Sequence, residues 1–313
     1  MRPWLRQGLV LSFLTIQNTT LVLVTKFSVR ENATPYSVSA VVACAELVKL
    51  FLSYLLTLGF HGKRAFRDAL CELPVKSRAL VVPSALYVVQ NNLLFHGVKL
   101  LSPTLYMVCS QSKILTSAAW NVLLLGTRIN LRQCVSLAIL VTGMILVQHG
   151  EASRQKISAS SNFGETLTGA LLVFIAAVTS GFAGAYLEKM YTDGRQERSV
   201  WFRNAQLACF SFPVASMLVL WRDVDLVRGG DIFHGFDRIV LCVIILQAIG
   251  GLIVAAVLRY AGNVLKCFAI SISICACVMA SAFSQDEGRQ ISMVVLLGIG
   301  LVLYATFLYS NII

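Results

Sequence analysis

The chain has 313 residues, 57% of them hydrophobic and only 13% charged, and a formal net charge of +11 from 26 Lys and Arg against 15 Asp and Glu. A soluble domain carries about 25% charged residues, and a soluble protein of this length cannot bury so much apolar surface, so part of its solvent is lipid. The positive excess then reads as basic residues that flank membrane spans and face anionic lipid, not as a nucleic-acid surface.

A membrane span needs about 20 predominantly apolar residues. The run 8–25 follows a short basic N-terminus, Met1 to Gln7. It is too long for a signal-peptide core and has no small-x-small cleavage pattern before Lys26, so it is expected to be a retained first span. Nine more windows follow at 37–60, 79–98, 103–125, 131–148, 166–188, 204–220, 239–258, 263–283 and 291–309. Each is expected to be a helix, because lipid offers no partners for backbone amides. The alternating ten-residue strands of a membrane barrel are absent. Pro35, Pro74, Gly126, Asn162-Phe163-Gly164, Asp193-Gly194 and Gly229-Gly230 punctuate the windows. The longest connections, 61–78, 149–165 and 221–238, are too short for a separate soluble domain. Residues 1–313 are therefore expected to form one polytopic, all-α transmembrane domain. The Asn32-Ala-Thr34 sequon lies close to the membrane and is expected to go unused.

Basic residues set the orientation. With the N-terminus in the cytosol, that side collects 14 Lys and Arg against 9 on the other, which favours both termini in the cytosol. Three lysines fall inside spans: Lys49, Lys113 and Lys266. Lys113 and Lys266 lie 153 residues apart, each in the penultimate window of a five-window half. Five is odd, so a duplicated second half would be inverted in the membrane. This suggests inverted repeats of about 1–150 and 165–313, with a substrate site at their junction.

A lysine at the bilayer centre costs at least ~2.5–3.5 kcal/mol on insertion scales. Lys113 lies too deep in its window to reach a surface, so a water-filled cavity is expected around it, the alternative being an ion pair with Glu46 or Glu188. Lys49 has Glu46 three residues away on the same helical face and is expected to pair with it. Lys266, three residues into its window, could also be explained by snorkelling. Two cavity lysines imply an anionic substrate, since an ammonium suits phosphate oxygens. Tyr87, Gln90 and Asn91 share a face of the third window and offer a ring, a hydroxyl and two amides for a sugar or nucleobase. The same residues could equally serve as polar glue between helices. Tyr106, seven residues before Lys113, faces the same way. The glycines of Ser180-Gly-Phe-Ala-Gly184 and Gly250-Gly251 indicate close helix packing, and leave room for a ligand.

Most of the nine cysteines lie in apolar runs and act there as small apolar residues. Cys275-x-Cys277 lacks further ligands at zinc spacing. No metal and no cofactor are expected. His61, His96, His149 and His234 do not cluster in sequence, and no Gly-x-Ser-x-Gly or paired Asp-rich motif occurs, which argues against an enzyme.

At these residues the chain resembles the nucleotide-sugar transporter family, in the branch with UDP-galactose, UDP-N-acetylglucosamine and CMP-sialic acid carriers. The resemblance is carried by Ala45-Glu-Leu-Val-Lys-Leu50, Tyr87-Val-Val-Gln-Asn-Asn-Leu-Leu94, Gln111-Ser-Lys-Ile-Leu-Thr116, Ser180-Gly-Phe-Ala-Gly-Ala-Tyr186 with Glu188-Lys189, Trp201-Phe-Arg-Asn204, Gln247-Ala-Ile-Gly-Gly251 and Asn263-Val-Leu-Lys266. It implies a ten-helix fold of the drug/metabolite transporter type in the Golgi or ER membrane. It also implies exchange of a cytosolic nucleotide sugar for a lumenal nucleoside monophosphate. By the same resemblance Lys113 and Lys266 would hold phosphates and Tyr106 would pack on the ligand. Tyr87, Gln90 and Asn91 would line the sugar side, and Ser180 and Asn204 the nucleoside side. There are departures: Met107 stands where the family usually has Gln, Gly262 where it has Asp, and Cys267 where it has Gly. Ala208 replaces the tyrosine of CMP-sialic acid members, which favours uridine. The expectation is a UDP-sugar/UMP antiporter, with UDP-galactose or UDP-N-acetylglucosamine as substrate. The alternatives are a CMP-sialic acid/CMP antiporter and a proton-coupled exporter of small metabolites, for which Glu46 and Glu188 are the available proton carriers. Monomer and homodimer both remain open.

Overall fold

The computed structural model describes residues 3–28, 36–71, 80–101, 103–152, 163–192, 200–283 and 292–310. Among these residues it is helical and contains no strand. The helices are α1 (Pro3–Ser28), α2 (Val38–Cys71), α3 (Val81–Leu100), α4 (Pro103–Ser110), α5 (Ser112–Leu125), α6 (Leu131–Ala152), α7 (Phe163–Thr192), α8 (Val200–Arg222), α9 (Val224–Gly229), α10 (Arg238–Tyr260), α11 (Asn263–Phe283) and α12 (Met293–Ser310). Every apolar window holds helix. Among the described residues, seven stretches, in α1, α2, α6, α7, α8, α10 and α11, are long and apolar enough to cross a membrane.

The other three windows depart for visible reasons. Gln90-Asn91-Asn92 sits midway along α3 and lowers its hydropathy. The fourth window is not one helix: it is interrupted at Gln111, leaving α4 and the 14-residue α5. In α12 the apolar stretch is the shorter Met293–Tyr309. Two connections also differ from expectation. α2 continues to Cys71 beyond a kink at Gly62, whose φ of 78° and ψ of 177° no ordinary helix accommodates. The connection 221–238 contains the short α9. The Asn32 sequon, Pro35, Pro74, Asn162, Asp193-Gly194, and the basic residues Arg2, Arg30, Arg154, Lys156 and Arg289 lie outside the described residues.

Large apolar side chains such as Phe13, Ile16, Phe51, Leu123, Phe174 and Phe307 point outward, an arrangement that water would penalise and lipid does not. Hydroxyls inside the helices bond their own backbone: Thr15 donates to the Leu11 carbonyl, Ser53 to that of Lys49 and Thr57 to that of Ser53. This satisfies polar groups without water.

The chain separates into two compact units. The first comprises Met1–Ala85 and Met190–Ala261, the second Leu86–Lys189 and Gly262–Ile313, so each draws on both halves of the sequence. In the first unit Val41 and Ala45 of α2 form a core with Val240, Val243 and Ile244 of α10, and Arg6 stacks over the ring of Tyr260 at 5.4 Å. Asp237 caps α10 by accepting the Val240 amide at 2.8 Å. In the second unit α6 and α12 meet backbone to backbone at Gly143 and Gly298, where a methyl on Gly298 would stand 2.8 Å from the Gly143 carbonyl oxygen.

Candidate functional site

The second unit contains a cavity whose empty space, counting its open mouth, is about 750 Å³. Helical stripes line it. From α7 come Val173, Ala176, Ala177 and Ser180, and from α11 Cys267, Ile270, Ser271 and Ile274, both at i, i+3, i+4, i+7 spacing. Gln90 and Leu94 enter from α3. The broken fourth window supplies Tyr106, Ser110, Gln111, Lys113 and Ile114.

The position of Lys113 follows from how α5 seats on α7. Gly181 lets the two backbones touch: a methyl there would stand 2.9 Å from the Ser117 nitrogen. Thr116 Oγ1 donates to the Ala177 carbonyl at 2.9 Å and Trp120 Nε1 to that of Val178 at 3.1 Å. The Trp120 ring meets Phe182 edge-on at 5.0 Å. Lys113, one turn before Ser117, is thereby aimed into the cavity. At the interruption the Ile114 amide bonds the Gln111 carbonyl at 3.0 Å, a tighter i→i+3 turn.

The carboxylates proposed for Lys113 are engaged elsewhere. Glu46 belongs to the first unit, where it pairs with Lys49 at 2.5 Å and also accepts from the Ser211 hydroxyl. The i, i+3 expectation for Lys49 therefore holds. Glu188 accepts the Asn121 side-chain amide at 2.9 Å and the Asn263 backbone amide at 2.7 Å, both on Oε2. Among the described residues neither Lys113 nor Lys266 has a carboxylate within 4.0 Å. Lys266 does not snorkel: it is 8% exposed. Its neighbour Cys267 forms part of the cavity wall.

Four predicted site residues, Gln90, Tyr106, Lys113 and Ser180, line this one cavity. Gln90 is 7% exposed, and its Oε1 is buried without a hydrogen-bond partner among the described residues. Tyr87 is half-buried on α3, a turn before Gln90. Asn91 lies on α3, and its side chain is outside the described set. Asn204 belongs to the first unit, where it is buried and donates to Ser53 Oγ at 3.0 Å. Sequence reasoning missed Ser110, Gln111 and Ser271. Ser110 lies four residues after Tyr106 and three before Lys113, a spacing that could have revealed it. The apolar lining carried no such signal, since a cavity wall and a helix-packing face have the same period.

The departure at Gly262 has a physical reason. Its φ is +87°, a left-handed conformation, and a methyl there would stand 2.7 Å from Glu188 Oε1. Glycine lets α11 start directly beneath that carboxylate.

Seven stretches apolar and long enough to span a membrane, together with a part-polar cavity in the second unit that holds a lysine, are the features of a multi-span membrane transport protein. A model of the nucleotide-sugar transporter family matches residues 6–310, and the chain belongs to that family. It is 38% identical to a UDP-N-acetylglucosamine transporter of Canis lupus familiaris over 96% of this chain and 94% of that protein. It is 34% identical to a UDP-galactose/UDP-N-acetylglucosamine transporter of Caenorhabditis elegans, over 96% and 82%. A UDP-galactose transporter of Schizosaccharomyces pombe is 35% identical, over 97% and 87%. A crystal structure of 11% identity superposes with a TM-score of 0.73 over 98% of this chain and 96% of that one, which shows the fold. The family and these relatives are transporters and not enzymes, as the scattered histidines led one to expect.

Proposed function

We propose that the protein is an antiporter that exchanges a cytosolic UDP-sugar, UDP-N-acetylglucosamine or UDP-galactose, for lumenal UMP by alternating access. It would do so across the Golgi or ER membrane through ten spanning helices built as two inverted five-helix repeats, with both termini in the cytosol. The observation that carries the reading is the cavity itself: Lys113 lines it with no carboxylate within 4.0 Å among the described residues, and Lys266 lies buried beside its wall. Each ammonium within the bilayer costs at least ~2.5–3.5 kcal/mol. A bound phosphate offsets that cost. The loaded carrier can therefore change conformation where the empty one is held back, and this difference in binding between states enforces exchange. In this reading Lys113 and Lys266 hold the phosphates and Tyr106 packs on the ligand. Gln90 offers its unpartnered carbonyl to a sugar hydroxyl or amide N–H, with Tyr87 and Asn91 on the same side. Ser180 addresses the nucleoside. The names of the relatives support uridine, as does the small, buried Ala208.

The test is uptake of labelled UDP-N-acetylglucosamine and UDP-galactose into liposomes that contain purified protein. Internal UMP is expected to stimulate uptake at least tenfold over empty liposomes. Internal CMP should do so far less. Equal uptake into empty and UMP-loaded liposomes, or uptake that follows a pH gradient and ignores internal nucleotide, would refute the exchange.

A further inference from the structure

The fourth window carries a polar side chain that the fold leaves without a partner. At about 100° per residue, Tyr106, Ser110 and Lys113 share one face of a helix, whereas Gln111 falls roughly 140° from Tyr106. Gln111 nevertheless forms part of the cavity wall. It does so at the interruption between α4 and α5, where its φ of −68° and ψ of −19° are those of a 3₁₀ turn. Its carbonyl takes the Ile114 amide at 3.0 Å, so that turn is closed by backbone alone. The Gln111 side chain does not cap α5, and no hydrogen bond ties it to another described residue. The residue is 7% exposed, and its amide atoms are not sealed off as Gln90 Oε1 is, so the exposure that remains is to the cavity. A buried amide without a partner is unfavourable, and this one is available to a ligand.

We propose that Gln111 is a substrate-contacting residue, which donates its side-chain N–H to the phosphate held by Lys113. Residues two apart on a helical backbone have Cα atoms roughly 5.4 Å from one another. Side chains that enter one cavity from both positions can therefore meet different oxygens of a single phosphate. The two donors differ in kind: an ammonium supplies charge with little direction, and an amide supplies direction without charge. Because the acceptor is ionised, the amide bond to it is stronger than one between neutral groups. Among the described residues no carboxylate lies within 4.0 Å of Lys113 and none bonds Gln111, so nothing competes with that phosphate for either donor. The inference rests on the proposed phosphate role of Lys113, and adds the group that orients what the lysine attracts.

Gln111→Met keeps the length of the side chain and removes its amide. The dissociation constant for UMP, measured by calorimetry on the full chain in detergent, is expected to rise about tenfold, while that for uridine, which has no phosphate, stays within about twofold. The melting temperature without ligand should stay within a few degrees of wild type, because the amide has no partner in the fold to lose. Gln111→Glu keeps the shape but sets a carboxylate oxygen where the donor stood. It should weaken UMP binding further than Gln111→Met does and spare uridine. A folded Met variant that binds UMP as tightly as wild type would overturn the proposal. Equal losses for UMP and uridine would place the amide against the nucleoside, and a raised KM for UDP-sugar exchange with unchanged UMP binding would place it against the sugar. Either result overturns the proposal. So would a Met variant that unfolds well below wild type, since the amide would then be engaged in the fold. Wild-type protein that binds no uridine nucleotide, or a Lys113→Ala variant that binds UMP normally, would instead overturn the phosphate reading itself, and the proposal with it.

Discussion

Gly181→Ala tests whether the contact between α5 and α7 is as tight as described. The new methyl would stand 2.9 Å from the carbonyl carbon of Thr116 and from the nitrogen of Ser117, and 3.0 Å from the Thr116 oxygen. All three are backbone atoms that cannot swing aside. Over-packing of this kind costs about 1–3 kcal/mol. Relief requires α5 to move away from α7, which lengthens the Thr116–Ala177 and Trp120–Val178 bonds, now 2.9 and 3.1 Å; each is worth about 0.5–1.5 kcal/mol. Alanine returns roughly 1 kcal/mol in helix propensity. The net expectation is a loss of about 2 kcal/mol. Because Lys113 rides on α5, UDP-sugar exchange should fall as well. The assay pairs thermal unfolding in detergent with exchange in liposomes. Gly300→Ala, at a helical position with nothing within 4 Å, serves as the control and should unfold no earlier than wild type. If Gly181→Ala kept both the melting temperature and the exchange rate of wild type, the close approach of α5 and α7 would be refuted.

Two further substitutions probe buried charge and backbone strain. Glu46→Ala leaves Lys49 without its 2.5 Å partner and should cost about 3–5 kcal/mol, seen as a large drop in melting temperature. Pairing it with Lys49→Met should restore most of that loss, and a double variant as unstable as the single one would contradict the assignment. Gly262→Ala forces a side chain onto a φ of +87° and against Glu188 Oε1. About 1–2 kcal/mol of left-handed strain should appear as lower thermal stability, and unchanged stability would mean that α11 does not begin as described.

Much of the fold was legible because lipid leaves the chain few options. Ten apolar windows were expected to be helical; their described residues are helical, the fourth as two helices, and seven stretches are long and apolar enough to span. The Lys49–Glu46 pair was legible from a spacing of three residues. The interruption at Gln111 was not, because one glutamine in an apolar run does not reveal that its neighbours must face a cavity. The helix beyond Gly62 was hidden by the polar, basic sequence that follows it. The partners of Glu188 were out of reach for a different reason: Asn121 and Asn263 lie 67 and 75 residues away in sequence, and only the folding of α5 and α11 onto α7 brings them together. In the candidate site, polar residues inside spans drew attention to Gln90, Tyr106 and Lys113, and the family resemblance to Ser180. The alanines and isoleucines beside them carried the periodicity of ordinary packing. The two compact units were not legible either, since each combines helices from both halves of the chain.

The central claim is that the two lysines remain charged within the membrane's depth because a phosphorylated ligand visits them. Its most direct test is UMP binding and UDP-sugar exchange by Lys113→Ala and Lys266→Ala, each alongside its melting temperature without ligand. The account predicts that both variants stay folded, unfold no more than a few degrees from wild type, lose UMP binding at least a hundredfold and lose exchange. Normal UMP binding and exchange in both folded variants would contradict it.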